Sequence, residues 1–309
     1  TVDLGLETRQ NLGLGQPAVT PQQVMTAILR DDVDLLWFGG IGTYVRGPAE
    51  TNAEVGDRAN DAIRVTGTEL RAKVVGEGAN LAVTQRGRIA YALAGGRIDT
   101  DAIDNSAGVN ASDLEVNIKI ALGSLVAAKR MGYEQRNAFL ASMTGEVAGL
   151  CLANNYLQSL ALSLAGREAV TAFGDHRALI EYLESRGQLQ RAVEFLPDDA
   201  ALAERAATGR GFTRPELAVL LAYAKNALEA DLVGSAVPDD PYLAKELFRY
   251  FPDRLVEQQR EAVSNHRLRR EVIATVLANA MINRGGPAFL VSMMSATSAD
   301  AGAVTHAYA

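Results

Sequence analysis

Two short apolar runs in this chain end in clusters of glycine, and that punctuation restricts the fold more than any other feature. Residues 33–38 run into Gly39-Gly40-Ile41-Gly42, and residues 73–75 run into Gly76-Glu77-Gly78. The runs are rich in β-branched and aromatic residues and alternate with helical patterns, which is the signature of an α/β layer with parallel strands. In a doubly wound sheet, ligands bind at the carboxyl edge, where the loops leave the strands. Gly40 and Gly42 are therefore candidate ligand-contacting positions, although a tight strand-to-loop turn with no ligand has the same spacing. Gly76 and Gly78 suit a turn or a close approach to the backbone, since neither carries a Cβ.

Around these runs the helical signals are local. Thr20-Pro21-Gln22-Gln23 opens a helix with a hydroxyl cap, a proline in the first turn and a glutamine placed to return the capping bond, and the pattern ends near Arg30. Residues 52–66 read as a second helix, leading to a strand that begins near Leu70. The word Gly13-Leu-Gly15-Gln-Pro17-Ala18 matches a dinucleotide fingerprint by letter, but no strand precedes it and proline sits in the turn.

Near residue 110 the character changes, and nearly every later pattern is helical. Ser112-Asp-Leu-Glu115 reads as a capping box, followed by a stripe of Leu114, Ile118, Leu122 and Leu125 at helical spacing. Residues 138–164 read as one long apolar helix, residues 177–185 as a short one, and Thr213-Arg-Pro-Glu216 as the box opening another. Asp240-Pro241 starts the next, and residues 254–283 read as a long final helix stopped by Gly285-Gly286-Pro287. The expected fold is α/β followed by mainly α. Residues 1–110 form the first part, and residues 111–309 form a helical region beginning with a linking helix.

Composition narrows the function classes. A formal net charge of −7 disfavours a broad nucleic-acid footprint, which needs clustered Lys and Arg. No stretch reads as a membrane span or signal peptide, and a single cysteine, Cys151, cannot form an internal disulfide, as expected of a cytoplasmic protein. His176, His266 and His306 are far apart, with no ligand at metal spacing, so no metal is expected. The basic word His266-Arg-Leu-Arg-Arg270 shares its helical pattern with Glu257, Glu261 and Glu271, so a solvated or interface face is expected there.

The chemistry concentrates in carboxamides. Asn80 closes Val74-Val-Gly-Glu-Gly-Ala-Asn80, and Asn105 opens Asn105-Ser-Ala-Gly-Val109, each in a turn of small residues. A carboxamide both donates and accepts, so it can meet ribose hydroxyls and another amide, but asparagine in a turn can equally satisfy its own backbone. These words resemble the large NAD-dependent glutamate dehydrogenases of bacteria. The resemblance continues through Asp34-Leu-Leu-Trp-Phe-Gly-Gly-Ile-Gly-Thr-Tyr-Val45, Glu54-Val-Gly-Asp-Arg-Ala-Asn-Asp61, Thr213-Arg-Pro-Glu-Leu-Ala-Val-Leu-Leu-Ala-Tyr-Ala-Lys225 and the words from His266 to Asn279, and so spans nearly the whole chain.

The resemblance implies the distal half of a doubly wound, Rossmann-like NAD domain, joined to part of a helical C-terminal region. It implies NAD as cofactor and oxidative deamination of L-glutamate to 2-oxoglutarate and ammonia, by a homo-oligomer of a longer subunit. Gly40, Gly42, Asn80 and Asn105 would orient the nicotinamide end. Ser112, seven residues after Asn105, would hold the substrate's side-chain carboxylate. The family's catalytic lysine, its proton-relay aspartate and its pyrophosphate-binding turn precede the words matched here. No catalytic residue is therefore expected in this segment, and the segment alone is expected to be inactive. Two alternatives stay open: another amino-acid dehydrogenase of the same superfamily, with an apolar substrate, and a non-catalytic assembly or regulatory module.

Overall fold

The computed structural model describes residues 1–309, which divide into two compact units. The first comprises residues 1–105 with 192–203 and 212–219, and the second comprises residues 106–191, 204–211 and 220–309.

The first unit is α/β. Its centre is a three-stranded parallel sheet in which Val74–Glu77 lies between Leu35–Phe38 and Arg97–Ile98. Leu35 aligns with Val74 and Phe38 with Glu77, so both strands end at the same edge. A smaller parallel pair, Val45–Arg46 with Val65–Thr66, lies along the chain beyond the first glycine loop. Helix Gln85–Leu93 follows the central strand, and its Tyr91 packs in the core with Phe38, Val45, Val65, Val75 and Ile98. Residues 212–219 join this unit through Arg214, which forms an ion pair with Asp99, and through the Pro215 carbonyl, which accepts from Gln85 Nε2 at 3.3 Å. Residues 192–203 join through Phe195, whose ring lies 4.5 Å from the Arg86 guanidinium.

Several boundaries follow local chemistry as expected. Thr20 caps Pro21–Leu29 with the full reciprocal box. At Thr213, the Glu216 carboxylate accepts from both the backbone N–H and the hydroxyl at 2.7 Å, just before the helix Arg214–Val233. Residues 52–66, by contrast, are not one helix. Asn52–Val55 stops at Gly56, which takes φ +78°, and a short 3-10 turn and a strand follow. The strand after it is Val74–Glu77 rather than one starting near Leu70.

The second unit is helical. The stripe read on the sequence is buried on Ser106–Ala127 as Leu114, Ile118, Leu122 and Leu125, and Arg269–Gly285 buries Val272, Ile273, Leu277, Ala278, Met281 and Ile282. Two long expected helices are broken. Residues 138–164 divide at Met143 into Tyr133–Ser142 and Thr144–Arg167. Residues 254–283 become Asp253–Gln258, Arg260–Ser264 and Arg269–Gly285. The second of these breaks is made by His266, buried to 3% exposure: its Nδ1 accepts from the Leu268 N–H at 3.1 Å, and its Nε2 donates to the Asn117 carbonyl at 3.0 Å. Side-chain bonding to the backbone has replaced the helical ladder there. Gly286, at φ +87°, ends the last of the three as expected, but the chain continues with Phe289–Thr297 and Ala301–Tyr308. No helix is long and apolar enough to cross a membrane.

Close backbone approach makes Gly67 a sensitive point of the first unit. A Cβ there would lie 2.3 Å from the Gly87 carbonyl oxygen and 3.2 Å from the Tyr91 nitrogen, both backbone atoms that cannot rotate away. Gly67→Ala is expected to destabilise the protein by about 1–3 kcal/mol through overpacking, measured as a lower midpoint in urea unfolding.

Candidate nicotinamide-side site

The turn after the central strand is built on a buried ion pair. Glu77 is fully buried, and the Arg88 guanidinium, 4% exposed, meets it with Nε to Oε2 at 2.6 Å and Nη2 to Oε1 at 2.9 Å. Glu77 Oε1 also accepts from the Val83 N–H at 3.0 Å. Arg88 reaches a second carboxylate, Asp101, at 3.1 Å, and the other oxygen of Asp101 accepts from the Leu81 N–H at 2.8 Å. Burial lifts the Glu77 carboxyl above its usual range, and Arg88 opposes that rise. The seven residues 77–83 are thus fixed at three points by two acids and one arginine. Leu81 is held at φ +56°, a conformation that an L side chain adopts only when its surroundings enforce it.

Backbone bonds place this turn beside the neighbouring strand. The Gly78 and Ala79 N–H groups both donate to the Phe38 carbonyl, at 2.9 and 3.0 Å. The glycines serve a different contact from the one expected. A Cβ on Gly76 would lie 2.6 Å, and one on Gly78 2.4 Å, from atoms of the Trp37 indole. That ring lies over both glycines while remaining 56% exposed. A tryptophan face, rather than backbone freedom, is what glycine accommodates at these two positions.

The first glycine loop is stiffened from behind. Gly42 has φ +137°, and a Cβ there would meet Asn60 Nδ2 at 2.6 Å and the Tyr44 hydroxyl at 2.8 Å. Asp57 Oδ2 accepts from the Thr43 N–H at 2.8 Å and from Asn60 Nδ2 at 2.6 Å. The Arg64 side chain, fully buried, donates from Nε to the Thr43 carbonyl at 2.9 Å and from Nη1 to Asn52 Oδ1 at 2.9 Å. Gly40 is exposed, with nothing within 4 Å of where its Cβ would be. The loop therefore has a rigid base and an open tip.

Asn80 and Asn105 come together. Asn105 follows the short helix Asp101–Asp104, which is itself bonded to the Glu77 turn, and its Nδ2 donates to Asn80 Oδ1 at 2.5 Å. That bond leaves Asn80 Nδ2 as a donor and Asn105 Oδ1 as an acceptor, the complement of one further carboxamide. The residues present therefore fit the amide end of a nicotinamide. Asp104 supports the same turn: its carboxylate accepts from the Glu77 N–H at 2.9 Å, and burial pushes its pKa up to about 6, aided by the nearby charges of Asp99 and Glu77.

Ser112 corrects the sequence reading. It is not a helix cap, because Ser106–Ala127 begins six residues earlier and Ser112 lies on its exposed side in the second unit. The start is set by tertiary bonds that local pattern does not show: Ser106 Oγ donates to Asn155 Oδ1 at 2.5 Å, and Asn154 Nδ2 donates to Asn110 Oδ1 at 3.0 Å. Gly13 likewise has no dinucleotide role by position, since it follows the helix Leu6–Asn11 and precedes the strand Ala18–Val19. Arg270 forms an ion pair with Asp239 and donates to the Ser235 carbonyl at 2.8 Å, so the basic word serves internal contacts. Sequence reading missed the residues that frame the site, Glu77, Arg88, Asp101 and Trp37. Their signal was an acid inside an apolar glycine turn, with an arginine eleven residues later on a helix.

Two outcomes test this framework. Arg88→Met would strand a buried carboxylate and is expected to cost about 3–5 kcal/mol of stability, read by calorimetry at pH 7. For Asp104 the folded pKa, about 6, lies above the unfolded value of 3.8, so the folded state binds the proton more tightly and stability falls as pH rises from about 4 to 6. Asp104→Asn keeps an oxygen for the Glu77 N–H and removes that penalty. Its melting temperature is expected to exceed that of the parent above pH 6 and to converge with it near pH 4.

Comparison with known proteins bears on the family of the chain. Residues 1–165 match a family model described as "Bacterial NAD-glutamate dehydrogenase, catalytic domain", and residues 209–309 match one described as "Glutamate dehydrogenase, C-terminal". Over 302 residues the chain is 47% identical to an NAD-specific glutamate dehydrogenase of Pseudomonas aeruginosa and 46% identical to one of Halomonas elongata, in each case covering 98% of this chain. A Mycobacterium tuberculosis protein of the same name is 43% identical over 291 residues, 92% of the chain. The chain spans 19% of the length of the first two relatives and 18% of the third. With a family model matching more than half its residues, the chain belongs to the bacterial NAD-glutamate dehydrogenases.

Proposed function

We propose that this chain is part of an NAD-dependent glutamate dehydrogenase, which converts L-glutamate and NAD to 2-oxoglutarate, ammonia and NADH. The observation that carries the reading is the Asn80–Asn105 pair. Two carboxamides are bonded to each other where the chain leaves the carboxyl edge of a parallel sheet, with the Asn80 Nδ2 and Asn105 Oδ1 groups not used in that bond. NAD, when bound, supplies the hydride acceptor. Asn80 and Asn105 fix the nicotinamide amide, so that one face of its ring is presented to the substrate. Gly40 lets the tip of the neighbouring loop approach the ribose without a side chain in the way, and Gly42 supplies the φ +137° turn that presents it. Ser112 donates its hydroxyl to the substrate's side-chain carboxylate. Residues 1–110 act as the distal part of the NAD domain, and residues 111–309 as the helical region.

Holding the reacting atoms in register is the contribution assigned to this segment, and such positioning is worth several kcal/mol of barrier. The acid-base groups belong to other parts of the subunit, and the active form is a homo-oligomer of it. The enzyme works in the cytoplasm.

The test is NADH oxidation by the full-length subunit, measured with ammonia and 2-oxoglutarate each present or omitted. Activity is expected to require both. Ser112→Ala is expected to raise KM for 2-oxoglutarate by an amount equivalent to about 1–3 kcal/mol, the value of a hydrogen bond to a charged group. Asn105→Ala is expected to lose a similar amount in kcat/KM, with KM for NADH raised. Turnover only with branched 2-oxo acids would replace this reading with that of a sister dehydrogenase. Unchanged constants in a folded Ser112→Ala variant would remove Ser112 from the site.

A further inference from the structure

Lys225 is placed where the helix calls for an apolar residue. On Arg214–Val233 it lies four residues after Leu221 and three before Leu228, both fully buried, and next to Ala224, which is 4% exposed. Lys225 itself is only 9% exposed. An ammonium has three protons to donate, and this one has a single acceptor, Gln158 Oε1, at 3.2 Å. No carboxylate among the described residues forms an ion pair with it. Desolvation without a counter-charge lowers its pKa to about 8, so at neutral pH it is still mostly a cation. A buried cation with one neutral partner is costly unless an anion joins it.

Polar side chains continue from Gln158. Gln158 Nε2 lies 3.5 Å from Ser106 Oγ, which donates to Asn155 Oδ1 at 2.5 Å, so the ammonium heads a row of polar side chains within the helical unit. Ser106 begins the helix that carries Ser112. We propose that Lys225 is a carboxylate-binding residue, its buried ammonium set beside Gln158 to take an anionic oxygen from outside this chain. A carboxylate oxygen would supply the counter-charge that the ammonium lacks and accept the protons that Gln158 leaves unused. Its source is either a small dicarboxylate or an Asp or Glu side chain from the rest of the subunit. Only the first source rests on the function proposed above.

The test measures the titration of the Lys225 amine in the full-length subunit by competitive acetylation and mass spectrometry, which needs no turnover. Without ligand, an amine that titrates in the ordinary lysine range, about 10 or higher, identifies a carboxylate supplied by the subunit. An amine that titrates near 8 alone, and moves up by about one unit or more in saturating 2-oxoglutarate or succinate, identifies a small-molecule carboxylate. Titration near 8 under all these conditions overturns the proposal. Lys225→Met provides an independent readout. With a carboxylate from the subunit, the variant melts at a lower temperature than the parent. With a small-molecule carboxylate, the variant loses the thermal shift that succinate gives the parent. A variant that melts higher than the parent, with an unchanged response to succinate, shows an uncompensated cation and overturns the proposal.

Discussion

The first unit depends on the pairing of Glu77 with Arg88. Taking a carboxylate and a guanidinium out of water costs several kcal/mol per ion, and their attraction offsets that cost only when geometry and additional hydrogen bonds are good. Both conditions hold here. Glu77 receives two guanidinium nitrogens and one backbone N–H, and Arg88 extends to Asp101. An apolar pair of the same volume could fill the space but could not orient it. The direction of these bonds fixes where the chain passes between the central strand and residue 83. Through Asp101 and Asp104, it also fixes where the short helix before Asn105 begins and ends.

Trp37 shows the same principle by exclusion. Its indole covers Gly76 and Gly78 so closely that a Cβ on either would displace the ring. The glycine word and the tryptophan are therefore one feature, read as two on the sequence because they lie on different strands. Trp37 nevertheless remains more than half exposed. Packing of this kind leaves an aromatic face at the carboxyl edge of a sheet, the edge at which such folds take their ligands.

The sequence was legible where a signal is local. The Thr20 cap, the apolar stripe from Leu114 to Leu125 and the parallel strands after which the glycines cluster all rest on spacing that a few residues determine, and the structure contains each of them. Legibility failed where a distant partner decides. Ser112-Asp-Leu-Glu115 has every letter of a capping box, yet Ser106 and Asn110 bond to Asn155 and Asn154 and draw the helix start six residues earlier. The final long helix failed for a similar reason, since His266 reaches Asn117 across 149 residues and diverts the backbone at Leu268. The candidate site was half legible: Asn80 and Asn105 stand out as carboxamides in small-residue turns, but the acid–arginine network that brings them together has no periodic signature.

Spare hydrogen-bonding capacity separates the polar groups that build this protein from those that remain available. The Arg64 guanidinium, fully buried, is committed to the Thr43 carbonyl and to Asn52, Asp57 and Asp61, so its work is structural and complete. Asp57 is equally occupied, and its backbone and side-chain donors hold its carboxyl below the usual range. Asn80 and Asn105 satisfy each other only by half, and Lys225 has used one donor of three. Burying a polar group and leaving it incomplete costs free energy, as for Lys225, whereas the exposed Asn80 and half-buried Asn105 are open to water or to a ligand. On the proposed reading, the capacity left on Asn80 and Asn105 is taken by a nicotinamide amide, and that of the buried Lys225 ammonium by an anionic oxygen.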